Sequence, residues 1–191
     1  MAATPSTMLE LGTPLPGFSL PDTSGPTVSS ADYNGQPLLV MFICNHCPFV
    51  KHVIAGLSSL AREFQEKGVN VVAVNSNDVA AYPEDAPDRM NAFAAKHGFS
   101  FPYLYDESQQ VAKLYRAACT PDFFLFDEKG RLVYRGQMDG SRPGNDVPVD
   151  GEDLTRAVDA LVSGGEIPAE QNPSIGCNIK WRPGNEPDYF G

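Results

Sequence analysis

Apolar and polar residues alternate in blocks along the chain, and an unbroken apolar run fills residues 38–43. Such a run is typical of a strand that is buried on both faces. Further apolar residues recur at helical spacing; they are Phe49, Val50, Val53, Ile54, Leu57, Leu60, Ala61 and Phe64. The pattern predicts a helix that begins at Cys47, where Pro48 is tolerated because the first turn has no intrahelical partner for its N–H groups.

The same pattern predicts the elements before and after this unit. Short strands are expected at residues 18–20 and 27–29, and further strands at residues 69–74, 101–105, 121–126 and 131–135. Helices are expected at residues 87–97, 108–115 and 151–162. Two of these helices should each bury one side, formed by Val111, Leu114 and Tyr115 in the first and by Leu154, Val158 and Leu161 in the second.

These elements predict an α/β fold in which residues 38–74 form a right-handed β-α-β unit. The length fits one domain, residues 1–191, with a core at about 37–163, an N-terminal hairpin at 11–36 and a tail at 164–191. The tail carries apolar residues that could pack on the body, so it should be ordered at least as far as Trp181. They are Ile175, Ile179, Trp181, Tyr189 and Phe190.

Composition narrows the classes of function. The 14 basic and 24 acidic residues give a net charge of −10, which argues against binding to nucleic acid or to an anionic membrane. The first residues lack the features of a signal peptide, so we expect a cytoplasmic protein. Four cysteines in that compartment are expected to be reduced unless they are catalytic or redox-sensing.

Cys44 and Cys47 form a Cys-x-x-Cys pair where the first helix begins. The N-terminus of a helix carries unpaired N–H groups and partial positive charge, which favour a thiolate on Cys44. Two cysteines at this spacing can close a disulfide, so the predicted chemistry is thiol–disulfide exchange. Two other interpretations stand beside it: buried packing cysteines, and a metal site with His46 and His52. A structural zinc site would need a second pair of ligands.

Several strings resemble the thioredoxin superfamily, and within it the redoxin branch that includes the alkyl hydroperoxide reductase and thiol-specific antioxidant proteins. They are GTPLPGFSL at residues 12–20, ICNHCPFVK at 43–51, Thr120-Pro121, and SIGCNIKW at 174–181. The resemblance implies a thioredoxin-like fold, with a central mixed sheet flanked by helices. It also implies that Pro121 is a cis-proline facing the cysteine pair, and that Thr120 offers its backbone to the extended chain of a partner.

The resemblance further implies roles for single residues. Cys44 would be the nucleophile and Cys47 the resolving thiol, supported by Asn45, His46, Pro48, Thr120 and Pro121. A cation or donor at His46 would raise the reduction potential above the value of about −270 mV of thioredoxin. Ile43 and Leu38 stand where that family carries a tryptophan and a buried aspartate, so no proton acceptor for Cys47 is identified.

The expected partners are protein or small-molecule disulfides and a thiol electron donor. No cofactor or metal is expected beyond the disulfide between Cys44 and Cys47. A thiol peroxidase is the second hypothesis, although Cys44 occupies the position at which a peroxiredoxin carries a hydroxyl residue. A module that only senses redox state or holds zinc is the third. Cys119 and Cys177 are candidates for additional redox thiols, against the simpler interpretation that they are buried structural cysteines.

Overall fold

The computed structural model describes residues 3–190, which fold into strands and helices around a central sheet. The predicted domain, residues 1–191, therefore includes three terminal residues outside this range. The strands are β1 (Ala3–Pro5), β2 (Ser19–Pro21), β3 (Thr27–Ser29), β4 (Leu38–Phe42), β5 (Asn70–Asn75), β6 (Tyr103–Tyr105), β7 (Cys119–Thr120), β8 (Asp122–Phe126), β9 (Leu132–Gly136) and β10 (Ile175–Asn178). The α-helices are α1 (Pro48–Glu66), α2 (Pro87–His97), α3 (Gln110–Leu114) and α4 (Glu152–Ser163).

A five-stranded mixed sheet forms the centre of the fold, in the order β6-β5-β4-β8-β9. Strand β4 pairs parallel with β5 and antiparallel with β8, and all five of its residues are buried. Because side chains alternate along a strand, Leu39 and Met41 pack against α1 and α4, while Val40 and Phe42 pack on the other face with α3 and the hairpin. The unbroken apolar run is therefore explained by burial on both faces.

Two smaller sheets lie beside the central one. Strands β2 and β3 form the predicted hairpin, and β1, β10 and β7 form a separate three-stranded antiparallel sheet in the order β1-β10-β7. The tail therefore supplies a strand to the structure, in addition to apolar anchors. Within the described residues, no helix is both long enough and apolar enough to cross a membrane.

Some local predictions are wrong. The helix expected at residues 108–115 is shorter, Gln110–Leu114, and Leu114 is 57% exposed because Val111 and Ala112 fill the buried side of this single turn. In the tail, Trp181 and Ile179 are buried as expected, but Ile175 and Phe190 are exposed. Ile175 and Phe49 both line a small cavity.

Candidate active site

The Cys-x-x-Cys pair lies at the junction of β4 and α1. Cys44 lies two residues after the end of β4. Cys47 is the N-cap of α1, and Pro48 is the first helical residue. Both cysteines are free thiols with 1% or less of their surface exposed. The Cys44 sulfur lies 3.4 Å from Thr120 Oγ1, and the Cys47 thiol donates to the Thr120 carbonyl at 3.2 Å. The Thr120–Pro121 peptide bond is cis.

A polar network holds the two residues between the cysteines. The Asn45 backbone N–H donates to Asp85 Oδ1 at 2.7 Å, and His46 Nδ1 lies 2.6 Å from Asp85 Oδ2. Asn77 donates to the same carboxylate oxygen at 2.8 Å, and the His46 ring stacks on Tyr82. Burial alone would raise the pKa of Asp85, but hydrogen bonds from His46 and Asn77 bring it below its usual value. Asp85 is therefore held as a carboxylate, next to the residues that precede α1.

The loop at residues 75–86 supplies this network. Its polar, proline-bearing sequence after the strand expected at residues 69–74 predicts a loop at the carboxyl end of that strand, beside the Cys44 site. The contacts of Asp85 confirm that placement, and Asn45 Nδ2 also donates to the Glu84 carbonyl at 2.8 Å. The individual importance of Asp85 and Asn77 was missed. The available signal was their position after the carboxyl end of β5, where sites gather in α/β sheets.

Cys177 approaches the pair from the other side. It lies opposite Thr120 in the ladder between β10 and β7. The expectation that the Thr120 backbone is open to a partner is wrong for this conformation, because β10 already pairs with it. The structure therefore brings three of the four cysteines together around Thr120: Cys44, Cys47 and Cys177.

The pKa values of Cys44 and Cys47 are shifted in opposite directions. The neighbouring Cys177 and Cys44 side chains lower the pKa of Cys47, whereas burial raises the pKa of Cys44 well above its usual value. The sequence-based expectation of a thiolate on Cys44 stays a prediction.

Two further candidate residues, Cys119 and His52, make their contacts elsewhere. Cys119 is buried, its thiol points to the Pro121 carbonyl at 3.7 Å, and burial raises its pKa. His52, which was considered as a metal ligand, instead contacts the Ser141 hydroxyl at 2.8 Å.

One group of three potential metal ligands occurs among residues 3–190. It consists of Cys44, His46 and Asp85, whose ligand atoms all lie within 4.8 Å of one another. Asp85 already accepts hydrogen bonds from Asn45 and Asn77 and is paired with His46. These contacts satisfy the carboxylate without a metal, so the donor set fits a positioning network better than a metal site.

Comparison with known proteins identifies the family of this chain. A model described as the AhpC/TSA family matches residues 11–135. The chain belongs to the AhpC/TSA family. Among solved structures of similar proteins, an uncharacterized conserved protein from Geobacillus kaustophilus is 52% identical, with a TM-score of 0.94 over 96% of this chain and 98% of that one.

Two further relatives of this AhpC/TSA chain carry descriptions of activity. The thiol-disulfide oxidoreductase ResA of Halalkalibacterium halodurans is 28% identical over 116 residues, which cover 61% of this chain and 62% of ResA. The chain thus matches less than two thirds of that relative's length. A thiol:disulfide interchange protein of the thioredoxin family from Chlorobium tepidum is 18% identical, with a TM-score of 0.62 over 85% of this chain and 99% of that one. This chain has the same thioredoxin-like fold.

Proposed function

We propose that the protein is a thiol–disulfide oxidoreductase that works through a reversible disulfide between Cys44 and Cys47. The observation that carries the proposal is the contact of both sulfurs with Thr120: the Cys44 sulfur lies 3.4 Å from its hydroxyl oxygen, and the Cys47 thiol donates to its carbonyl at 3.2 Å. Two sulfurs in such proximity can form a disulfide after a small rotation of the side chains. The relatives described as disulfide oxidoreductases support the same chemistry.

The reaction begins when Cys44 loses its proton and becomes a thiolate, to which the Thr120 hydroxyl, 3.4 Å from the sulfur, can donate. This thiolate attacks one sulfur of a substrate disulfide, forms a mixed disulfide and releases the other sulfur as a thiolate. Cys47 then loses its proton, attacks the Cys44 sulfur and releases the second substrate thiolate. The substrate gains two electrons, and the protein holds the Cys44–Cys47 disulfide.

The surrounding residues position the reacting sulfurs. Asp85 holds the Asn45 backbone and the His46 ring, which fixes the peptide that connects the two cysteines. On the other side, the Thr120 hydroxyl lies against the Cys44 sulfur, where it can donate to the thiolate. Neither contact takes part in electron transfer, so both are proposed as positioning contacts.

The proposed partners follow from this chemistry. Protein or small-molecule disulfides would be the substrates, and a separate thiol would return electrons to the Cys44–Cys47 disulfide. We also propose that the protein is cytoplasmic and that it binds neither nucleic acid nor an anionic membrane. The net charge of −10 supports the second part of this proposal. Burial of both sulfurs means that a substrate reaches Cys44 only when the covering segments move.

A redox titration in glutathione buffers, with acid quench, alkylation and peptide mapping, tests the proposal. Cys44 and Cys47 should interconvert as one reversible pair, and Cys47→Ser should accumulate a mixed disulfide on Cys44. Failure of the two cysteines to pair at any glutathione ratio would reject it. Stoichiometric zinc in the reduced protein would instead support the metal-holding hypothesis.

Peroxide reduction is the second candidate function, and the low pKa of Cys47 at a helix N-terminus favours it. A peroxidase would convert the Cys47 thiolate to a sulfenic acid and reduce the peroxide to water or an alcohol. Stopped-flow oxidation with hydrogen peroxide distinguishes the two. Rapid, saturable formation of Cys47 sulfenic acid in Cys44→Ser would favour the peroxidase, whereas slow second-order oxidation would favour disulfide exchange.

A further inference from the structure

We infer that Cys177 is a third redox-active thiol, which exchanges into a disulfide with Cys47. The inference rests on the proposed function, because the Cys44–Cys47 disulfide is the species that Cys177 would attack. It is carried by the pairing of the tail strand β10 with β7 beside the cysteine pair.

The register of this ladder delivers Cys177 to the reacting sulfurs. Cys177 is the direct partner of Thr120, whose carbonyl accepts the Cys47 thiol at 3.2 Å. Directly opposed residues of an antiparallel pair have Cα atoms about 5 Å apart. Cys177 and Cys47 are both buried, and they belong to the same core cluster.

Close packing of backbone against backbone keeps β10 in this position. A Cβ atom on Gly176 would lie 2.0 Å from the Thr120 carbonyl oxygen, so only glycine allows the two strands to approach this closely. Hydrogen bonds fix the strand on both sides. Ser6 N–H donates to the Ser174 carbonyl at 2.9 Å, Ile179 N–H to the Ala118 carbonyl at 3.0 Å, and Lys180 N–H to Asn77 Oδ1 at 2.8 Å.

This arrangement corresponds to recognition of a partner by strand addition. An extended peptide that pairs with an open strand presents its side chains at fixed positions along that strand. Here the chain's own tail forms the pairing, and the side chain opposite Thr120 is a cysteine. Cys177 therefore occupies the strand position opposite Thr120 that a residue of a bound substrate would take.

The exchange step needs no further oxidant once the first disulfide exists. The Cys177 thiol loses its proton, and its sulfur attacks Cys47 in the Cys44–Cys47 disulfide. The Cys47–Cys177 bond forms, the Cys44–Cys47 bond breaks, and Cys44 leaves as a thiolate that takes up a proton. The protein remains oxidised by two electrons, but Cys44 is free again.

Cys119 provides a matched control. It is equally buried and lies on β7 next to Thr120, but its thiol points to the Pro121 carbonyl instead of the pair. Trypsin separates the relevant residues, since residues 1–51 contain no internal cleavage site, and Cys119 and Cys177 fall in peptides 117–129 and 157–180.

The test oxidises Cys44→Ser protein with diamide, quenches it with acid, alkylates it and maps the tryptic peptides. A disulfide between peptides 1–51 and 157–180 is expected in most of the protein. The same disulfide should persist in Cys44→Ser/Cys119→Ser and be absent from Cys44→Ser/Cys177→Ser. In wild-type protein, glutathione titration should show Cys47 divided between Cys44 and Cys177.

The outcomes separate this inference from the proposed function. If Cys44 and Cys47 interconvert in wild-type protein but Cys44→Ser forms no bond to Cys177, the inference is overturned and the proposed function stands. If Cys44 never pairs with Cys47 in wild-type protein, the proposed function fails, and the exchange step fails with it even where a Cys47–Cys177 bond forms. Bonding of Cys47 to Cys119 in the variant would also overturn the inference.

Discussion

The two sides of the cysteine pair are built from different chemistry. On the polar side, Asn45, His46 and Asn77 surround the Asp85 carboxylate. On the sulfur side, Cys47 faces Thr120 and Cys177. The polar side consists of groups that hold position, whereas the sulfur side consists of groups that can exchange bonds. The comparison indicates that damage to the polar side should loosen the site, while damage to the sulfur side should change which sulfurs can react.

The sulfur side also depends on an anchor at the first residue of β8, an interior strand of the central sheet. The Ser6 hydroxyl donates to Asp122 Oδ1 at 2.8 Å and accepts the Ser174 N–H at 2.8 Å. Ser6 thereby connects the segment before β10 to the first residue of β8. Asp122 is fully buried, and its Oδ2 has no hydrogen-bond partner among the described residues.

The largest expected effect comes from the ionisation of Asp122. Burial raises its pKa to about 7, against 3.8 for an unfolded chain, so the folded protein binds more protons between these values. Stability must therefore fall as pH rises through this window, by about 4 kcal/mol at most and by roughly 3 kcal/mol between pH 5 and pH 8. Urea unfolding at both pH values should show this loss in wild-type protein and much less of it in Asp122→Asn. Equal pH dependence in the two proteins would show that ionisation of Asp122 does not cause the loss of stability.

Gly176→Ala tests the close contact between β10 and β7. The new Cβ would lie 2.0 Å from the Thr120 carbonyl oxygen, so β10 must move away, at a cost of about 3 kcal/mol. Native-state alkylation of Cys47 and Cys177 should become at least about tenfold faster, because a tenfold change needs only about 1.4 kcal/mol. Gly17→Ala is the matched control, since its Cβ meets only Ser30 Oγ at 3.9 Å. Unchanged alkylation in Gly176→Ala would show that β10 does not cover the pair.

Sequence analysis was most accurate where the signal is local. The apolar run at β4 and the cysteine spacing at the start of α1 lie within a few residues, so they could be interpreted without the fold. Cys177 and Cys47 are 130 positions apart in the sequence (177 − 47), and no local pattern shows which strand the tail will pair with. Asp85 illustrates the same limit, because its loop was predicted to border the site but no spacing rule distinguishes it from Glu84.

Asp85→Asn tests the polar side. The amide replaces a carboxylate that accepts hydrogen bonds from Asn45 and Asn77 and pairs with His46, so one donor would face another. We expect a loss of about 2 kcal/mol in the free energy of unfolding, with little increase in the alkylation of Cys177. Glu84→Gln is the control, because this neighbour is exposed and contacts Asn45 only through its backbone. Faster alkylation of Cys177 in Asp85→Asn would show that the two sides are not separate.

Tyr82 gives the smallest and most specific test, because its ring contacts both sides. One face stacks on His46, with ring centroids 5.1 Å apart, and Lys180, two residues after β10, places its ammonium 5.7 Å from the ring centre. Tyr82→Leu removes both aromatic contacts and should cost about 1 kcal/mol, whereas Tyr82→Phe keeps the ring and should cost much less. A double-mutant cycle with Lys180→Met, read by urea unfolding and by Cys177 alkylation, measures the coupling. A coupling energy near zero, or equal losses in the leucine and phenylalanine variants, would mean that the polar side and β10 are held independently.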